Sequence, residues 1–203
     1  ILKIDLFSKD ALSSTIGFNL DKYFVVTYHP VTLGDDLDNK DFKNLLEVLD
    51  KFKDFQVIFT KANADAGSLK INKMIDAYVL KHNNSRAFFS LGTKRYLSLI
   101  KYSSAVIGNS SSGIIEAPAM LVPTVNIGDR QKGRIRAKSI IDCDGNYNSI
   151  NKAINKALGS NCKFSIRDIP FYKKDTSKSI ATIIIKVFSK KVNLKKRFYD
   201  LKV

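Results

Sequence analysis

Short apolar runs alternate with segments in which apolar residues recur every three or four positions. The run 23–28 is β-branched and aromatic at consecutive positions, which is typical of a strand buried on both faces of a parallel sheet. The next segment places apolar residues on one helical face, at Phe42, Leu45, Leu46, Leu49 and Phe52. The pattern then predicts strands at 56–60, 87–90, 104–107, 124–127 and 139–142, and helices at 71–78, 94–102, 150–158 and 176–190. This alternation predicts an α/β fold with a doubly wound, Rossmann-like parallel sheet.

The same pattern suggests how the chain is divided. We interpret residues 1–22 as a connector that contains a short helix at 8–16, capped by Ser8 and ended by Gly17. We interpret residues 23–190 as a single domain and residues 191–203 as a basic tail. The sequence starts at Ile1 without an initiator Met or a secretory signal, so we expect a piece of a longer protein whose N-terminal domain is missing.

The strongly basic composition raises the question of nucleic acid. The net charge is +15, yet only seven of the 34 basic residues are Arg, and the Lys residues are scattered along the chain. That distribution favours a solvated surface over a nucleic-acid interface, including in the tail. The sequence contains no apolar run of about 20 residues, so it predicts no membrane partner. It leaves homo-oligomerisation open.

The cysteine content and the known nucleotide motifs exclude several classes of site. Cys143 and Cys162 show no metal-ligand spacing to the two histidines, so we expect no metal, no cofactor and a reducing, cytoplasmic environment. Both the three-glycine dinucleotide fingerprint and the P-loop lysine motif are absent.

The stretch 104–118 is the most informative part of the chain. An apolar run leads into a turn with three consecutive serines, and Gly113 closes this turn before a predicted helix. Such a turn directs backbone N–H groups, hydroxyls and the positive end of a helix dipole at one point, which suits a phosphate. The alternative is ordinary capping, with Ser112 or Gly113 as the N-cap and Glu116 in the first turn. The residues alone leave both interpretations open.

Polar, glycine-containing loops follow four of the predicted strands, whereas the loops at the opposite sheet edge are short and plain. Because ligands of open parallel sheets bind outside the carboxyl ends of the strands, this asymmetry predicts a ligand crevice. Three side chains there suit a nucleotide: His29 can donate to a diphosphate oxygen, Arg130 can bind a phosphate or a carboxylate, and Glu116 can accept from ribose hydroxyls. The alternative for His29 is a structural histidine bonded to a backbone carbonyl.

These four loops carry a family resemblance. They read His29-Pro30-Val31-Thr32, Asn63-Ala64-Asp65-Ala66-Gly67, Gly108-Asn109-Ser110-Ser111-Ser112-Gly113-Ile114-Ile115-Glu116 and Gly128-Asp129-Arg130-Gln131-Lys132-Gly133-Arg134. In order and spacing they resemble the C-terminal half of the hydrolysing UDP-N-acetylglucosamine 2-epimerases. The resemblance extends from about Tyr23 to the tail.

The resemblance implies a fold and a reaction. It implies the C-terminal domain of a two-domain, GT-B-like enzyme in which two Rossmann-like domains face each other across a cleft. UDP-N-acetylglucosamine would lose UDP by elimination, and hydration of the resulting unsaturated sugar would give N-acetylmannosamine, a precursor of sialic acids.

The resemblance also implies roles for individual residues. Ser110, Ser111 and Gly113 would hold the diphosphate, and Glu116 would hold the ribose. Further residues along UDP would be Asn63, Arg130, and Leu91, whose backbone would meet the uracil. His29 would be the catalytic residue of this half, because it would assist departure of the diphosphate.

The family's acid and base carboxylates belong to the N-terminal domain, and nothing in this chain matches their motifs. We therefore expect the chain to be inactive alone. Three alternatives remain: a reversible, non-hydrolysing UDP-sugar 2-epimerase, the donor-binding domain of a GT-B glycosyltransferase and, more remotely, a basic nucleic-acid-binding module.

Overall fold

The computed structural model shows the predicted alternation of strands and helices. It describes residues 1, 3–31, 39–62, 67–159, 164–189 and 195. The strands are β1 (Tyr23–Thr27), β2 (Gln56–Thr60), β3 (Ser85–Phe88), β4 (Ala105–Gly108), β5 (Thr124–Ile127) and β6 (Ile140–Cys143). The helices are α1 (Lys9–Ile16), α2 (Lys40–Leu49), α3 (Ser68–Lys81), α4 (Gly92–Tyr102), α5 (Ser112–Ala119), α6 (Tyr147–Leu158) and α7 (Thr176–Phe188), with a 3₁₀ turn at Ile166–Asp168.

All pairings in the sheet are parallel, and the strand order is β3-β2-β1-β4-β5-β6. The strand order reverses direction between β1 and β4, which is where open α/β sheets bind ligands. The prediction of a doubly wound, Rossmann-like parallel sheet is therefore confirmed.

The sheet has a hydrophobic core on each face, which explains why β1 is apolar without interruption. Phe24 and Val26 pack with α2, α3 and α6, whereas Tyr23 and Val25 pack on the opposite face with α1, α4 and α5. A strand that must satisfy two cores cannot alternate apolar with polar residues. The sequence pattern of β1 is thus a direct consequence of helices on both faces.

Several predicted boundaries hold and others shift. Ser8 caps α1 by accepting from the Ala11 N–H, and Gly17 ends the helix in the left-handed conformation, as predicted. Strand β3 starts two residues earlier than predicted, because the register of the sheet pairs Ser85 with Val57. Helix α6 starts at Tyr147 rather than 150, because the Asn146 side chain caps it.

The described chain divides into two units, Ile1–Pro170 and Phe171–Val203. In the first unit, residues of the predicted connector join the core, since Leu12 and Leu20 are buried beneath the sheet. The second unit contains α7, whose predicted apolar stripe is exposed at Ile180, Ile183, Ile184, Val187 and Phe188. The proposed boundaries at 22 and 190 stay predictions. Nearly all of the predicted basic tail lies outside the described residues.

None of the helices in the described ranges combines the length and apolarity needed to cross a bilayer.

Candidate functional site

A cavity of about 500 Å³ opens where the strand order reverses, outside the carboxyl ends of β1 and β4. Its size is in the range of small-molecule sites. Four residues that the sequence singled out line it, namely His29, Leu91, Ser110 and Glu116. Among the described residues, Ser111, Gly113 and Arg130 are not part of this lining, and Asn63 lies outside the described ranges.

The serine turn between β4 and α5 presents backbone donors. Helix α5 begins at Ser112, and its N-cap residue Ser111 makes no side-chain capping bond. Within the described part of the chain, the N–H groups of Ser110 and Ser111 donate to no protein acceptor. Two unused N–H groups at the positive end of a helix favour an anion. Neither Ser112 nor Gly113 is the N-cap of α5; instead, the Ser110 hydroxyl accepts from the Ser112 N–H at 3.3 Å.

Two glycines let the backbone of this turn approach its neighbours closely. Gly108 adopts φ 135°, and a Cβ there would collide with the Thr27 carbonyl of β1. A Cβ on Gly113 would lie 2.7 Å from Thr124 Cγ2 of β5, while the Gly113 carbonyl accepts from Thr124 Oγ1 at 2.8 Å. The structure thus gives Gly113 a packing function, and its contact with a diphosphate stays a prediction.

Asn109 holds the site together, and sequence reasoning did not single it out. Its fully buried side chain accepts from the His29 N–H and donates to the His29 carbonyl, both at 2.8 Å. Its own carbonyl accepts from Gln131 Nε2 at 2.8 Å and from the Arg130 guanidinium at 3.2 Å. Asn109 therefore fixes the backbone of His29 and the start of the Gly128–Arg134 loop. An Asn directly after a strand was the only sequence signal for this role.

Four hydroxyls in the cavity lining form a chain, and sequence reasoning assigned none of them a contact with the ligand. Thr27 and Thr60, at the ends of β1 and β2, share a hydrogen bond. Thr27 also bonds to Tyr96, whose Oη donates to Ser112 Oγ at 2.8 Å. Burial raises the pKa of Tyr96, so this hydroxyl stays protonated at physiological pH. No sequence motif marks such a chain, because its members come from four separate elements.

Glu116 lies one helical turn beyond the serine turn and is half-buried in the cavity lining. It makes no ion pair within the part of the chain that the structure describes, so it is not the carboxylate that Arg130 binds there. A carboxylate without a cationic partner is suited to accept from ligand hydroxyls. Leu91 is buried as the N-cap residue of α4, and the left-handed Gly92 follows it.

A second cavity of about 520 Å³ lies at the end of β6, and part of the predicted crevice belongs to it. The Gly128–Arg134 loop sends Asp129 and Lys132 into this cavity, where they form an exposed ion pair. Arg136 and Asp142 form another pair in its lining. The loops predicted to converge on one crevice therefore divide between two.

Comparison with known proteins decides which family this geometry belongs to. The family model of UDP-N-acetylglucosamine 2-epimerase matches residues 3–185. The chain belongs to this family. The resemblance read from the four loops is thereby confirmed.

Two curated relatives are similar over much of the chain. A Campylobacter jejuni protein named GDP/UDP-N,N'-diacetylbacillosamine 2-epimerase (hydrolyzing) is 43% identical over 77% of this chain and 41% of its own length. The Escherichia coli polysialic acid biosynthesis protein P7 is 39% identical over 98% of this chain and 52% of its own length. The chain thus spans about half the length of the curated relatives that it matches.

Among solved structures, the fold is similar to that of Methanocaldococcus jannaschii UDP-GlcNAc 2-epimerase in complex with UDP-GlcNAc and UDP. The TM-score is 0.68 at 19% identity, and the match covers 86% of this chain and 48% of that one. This likeness concerns the fold.

Proposed function

We propose that this chain is the UDP-binding half of a hydrolysing UDP-N-acetylglucosamine 2-epimerase. The observation that carries the proposal is the serine turn: two backbone N–H groups without protein acceptors among the described residues lie at the start of α5, beside a cavity that also holds His29 and Glu116. A nucleoside diphosphate uses all of these groups, because its phosphates need donors and its ribose hydroxyls need an acceptor.

In the proposed reaction, the bond between the anomeric carbon and the diphosphate oxygen breaks while a proton leaves C2 of the sugar. Water then adds across the resulting double bond, and N-acetylmannosamine is released. Negative charge grows on the departing diphosphate, so fixed donors stabilise the transition state more than the ground state. Ser110, Ser111, Arg130 and His29 are the donors of this chain. The group that removes the C2 proton belongs to the part of the protein outside this chain.

The hydrolysing outcome is supported by the name of the Campylobacter jejuni relative. The same name includes a diacetylated bacillosamine, so the acyl sugar has to be settled by assay. With the full-length protein, free N-acetylmannosamine rather than UDP-N-acetylmannosamine is the expected product of UDP-N-acetylglucosamine. Recovery of the nucleotide-linked epimer instead would assign the protein to the reversible group.

Calorimetric titration of the 203-residue chain with UDP, UMP and ADP tests the nucleotide site itself. We expect UDP to bind about tenfold more tightly than UMP or ADP, since each comparison removes either phosphate or base contacts. Glu116→Gln is expected to weaken UDP binding about tenfold, because it replaces a charged acceptor of the ribose hydroxyls. Asp144→Asn changes a carboxylate of the second cavity in the same way and is the matched control. Equal affinities for UDP and ADP, or equal effects of the two substitutions, would contradict the proposal.

We also propose that the chain alone does not release UDP from UDP-N-acetylglucosamine. Release at an ordinary enzymatic rate by the 203-residue chain would show that the missing acid and base are present here after all.

A further inference from the structure

The Ser112 hydroxyl has a proton that the protein does not use. Its oxygen accepts from Tyr96 Oη at 2.8 Å, and the residue is only 9% exposed. Ser112 lines the cavity, and no acceptor for its own proton exists among the residues that the structure describes. A buried hydroxyl needs a partner for its donor, because an unsatisfied one is costly. The partner has to come from the cavity.

The hydroxyl chain behind Ser112 leaves this donor available to a ligand. Tyr96 has one hydroxyl proton, which it donates to Ser112, while its oxygen is bonded to Thr27. Thr27 is in turn bonded to Thr60 at the end of the neighbouring strand. Because burial raises the Tyr96 pKa, Tyr96 keeps the proton that it donates to Ser112 at physiological pH. When Tyr96 donates to Ser112, the Ser112 proton is left for an acceptor in the cavity.

We propose that the Ser112 hydroxyl is a further donor to the diphosphate of the bound nucleotide, and that Tyr96 is the positioning residue that orients it. This inference rests on the proposed function. It adds to the serine turn a hydroxyl that binds the ligand, that of Ser112, and the residue that orients this hydroxyl, Tyr96.

The location of Ser112 favours a phosphate oxygen over the ribose. Ser112 is the first residue of α5, beside the two unused N–H groups of Ser110 and Ser111. Anionic oxygens are stabilised at this end of a helix. Glu116, the expected acceptor of the ribose hydroxyls, lies one turn further along the helix.

Titration of the Ser112→Ala chain with UDP and with uridine tests the donor. We expect UDP affinity to fall about tenfold, the loss of one hydrogen bond to a charged acceptor, while uridine affinity stays unchanged. An equal loss for both ligands would overturn the proposal, because Ser112 would then act on the ribose or on Glu116. Unchanged UDP affinity would also overturn it.

The Tyr96→Phe chain tests the positioning role, since it removes only the hydroxyl. We expect UDP affinity to fall about threefold to fivefold, because Ser112 loses its orientation but keeps its proton. The double variant is expected to bind UDP as weakly as Ser112→Ala alone, since the tyrosine hydroxyl acts only through Ser112. Additive losses would show that Tyr96 contacts the ligand independently.

Tyr102→Phe is the matched control. Its hydroxyl lies on the same helix and donates to the Phe7 carbonyl at 3.1 Å, away from the cavity lining. We expect UDP affinity unchanged and a similar thermal midpoint to Tyr96→Phe. If Tyr102→Phe lowers UDP affinity as much as Tyr96→Phe does, general destabilisation explains the loss in Tyr96→Phe, and the positioning role is overturned.

Failure of the proposed function has a separate signature, because the unmodified chain would then not bind UDP in preference to ADP. Failure of this inference leaves that preference intact and removes only the effects of Ser112 and Tyr96.

Discussion

The two cavities at the carboxyl edge of the sheet have nearly the same volume, about 500 and 520 Å³, yet they are built differently. The cavity beside the serine turn is held by buried hydrogen bonds of Asn109 and Tyr96. The cavity beside β6 is lined by exposed ion pairs, such as Asp129 with Lys132. Buried hydrogen bonds fix donors in place, whereas exposed pairs reorganise at little cost. The two cavities therefore differ in how firmly their polar groups are held rather than in size.

The largest expected effect, on both stability and UDP binding, is that of the buried Asn109. Asn109→Ala removes both bonds to the His29 backbone and leaves buried groups unsatisfied, so it should lower the free energy of unfolding by about 2–4 kcal/mol. It should also weaken UDP binding, since the serine turn and His29 lose their common support. Urea unfolding and calorimetry measure the two effects.

Asn126 is the counterpart of Asn109 at the second cavity. It is buried in β5, and its Nδ2 donates to Asp142 Oδ1 at 2.6 Å. Asn126→Ala should lower the free energy of unfolding by about 1–2 kcal/mol and leave UDP affinity unchanged. If UDP affinity falls as far as in Asn109→Ala, the distinction between the two cavities is wrong.

Cys143 lines the second cavity and tests whether that cavity contains a nucleophile. Burial, aided by nearby carboxylates such as Asp144, raises the pKa of the Cys143 thiol to about 12. At pH 8 the thiolate fraction is therefore small, and alkylation by iodoacetamide should be at least about 100-fold slower than that of glutathione. The rate should rise about tenfold per pH unit, because the thiolate fraction does.

The alkylation experiment uses a chain with Cys162→Ser, so that a single thiol is followed. A rate at pH 8 close to that of glutathione would mean that Cys143 ionises normally and that the second cavity can do thiol chemistry.

Gly113→Ala separates packing from binding in the serine turn. The new methyl group meets Thr124 Cγ2, so we expect a loss of about 1–3 kcal/mol in the free energy of unfolding. Thr124→Ser removes that methyl but keeps the hydroxyl that donates to the Gly113 carbonyl. The double variant Gly113→Ala with Thr124→Ser should be nearly as stable as Thr124→Ser alone and should bind UDP nearly as tightly as that variant. Normal stability with poor UDP binding would instead assign Gly113 to the ligand.

The smallest effect is expected at the exposed ion pair of the second cavity. Lys132→Ala removes the pair with Asp129, whose side chains are 79% and 86% exposed. Such pairs contribute little, so unfolding should change by less than about 0.5 kcal/mol and UDP binding should not change. A tenfold loss of UDP affinity would mean that the second cavity takes part in nucleotide binding.

The sequence was sufficient for the fold because the two hydrophobic cores impose long, unambiguous patterns. An uninterrupted run of β-branched and aromatic residues such as β1 suits a strand covered on both faces, and Ser8 with Gly17 delimits α1 by local chemistry. Boundaries set by distant partners were harder to predict. Strand β3 is positioned by its register with β2, which no local pattern in 85–90 encodes.

For the site, the sequence located the loops but not the network between them. Ser110, Glu116 and His29 line the cavity as the sequence suggested, because they lie in or just after loops that follow strand ends; their contact with a nucleotide stays a prediction. Asn109 and Tyr96 were missed, since their importance arises from contacts with residues 80 and 16 positions away along the chain. The loop after β5 was assigned to one crevice because sequence order does not reveal that its side chains point to two sides of one backbone.

The bonds of Asn109 to His29 also bear on when the proposed nucleotide site forms during folding. They join segments 80 residues apart, so this contact has a loop-closure cost that falls once the intervening strands and helices are ordered. A chain that has formed only its local helices has no place for a nucleotide. The amount of bound ligand would consequently report the fraction of fully folded molecules. Ligand should slow the unfolding of the folded chain and leave the formation of the early helices unchanged.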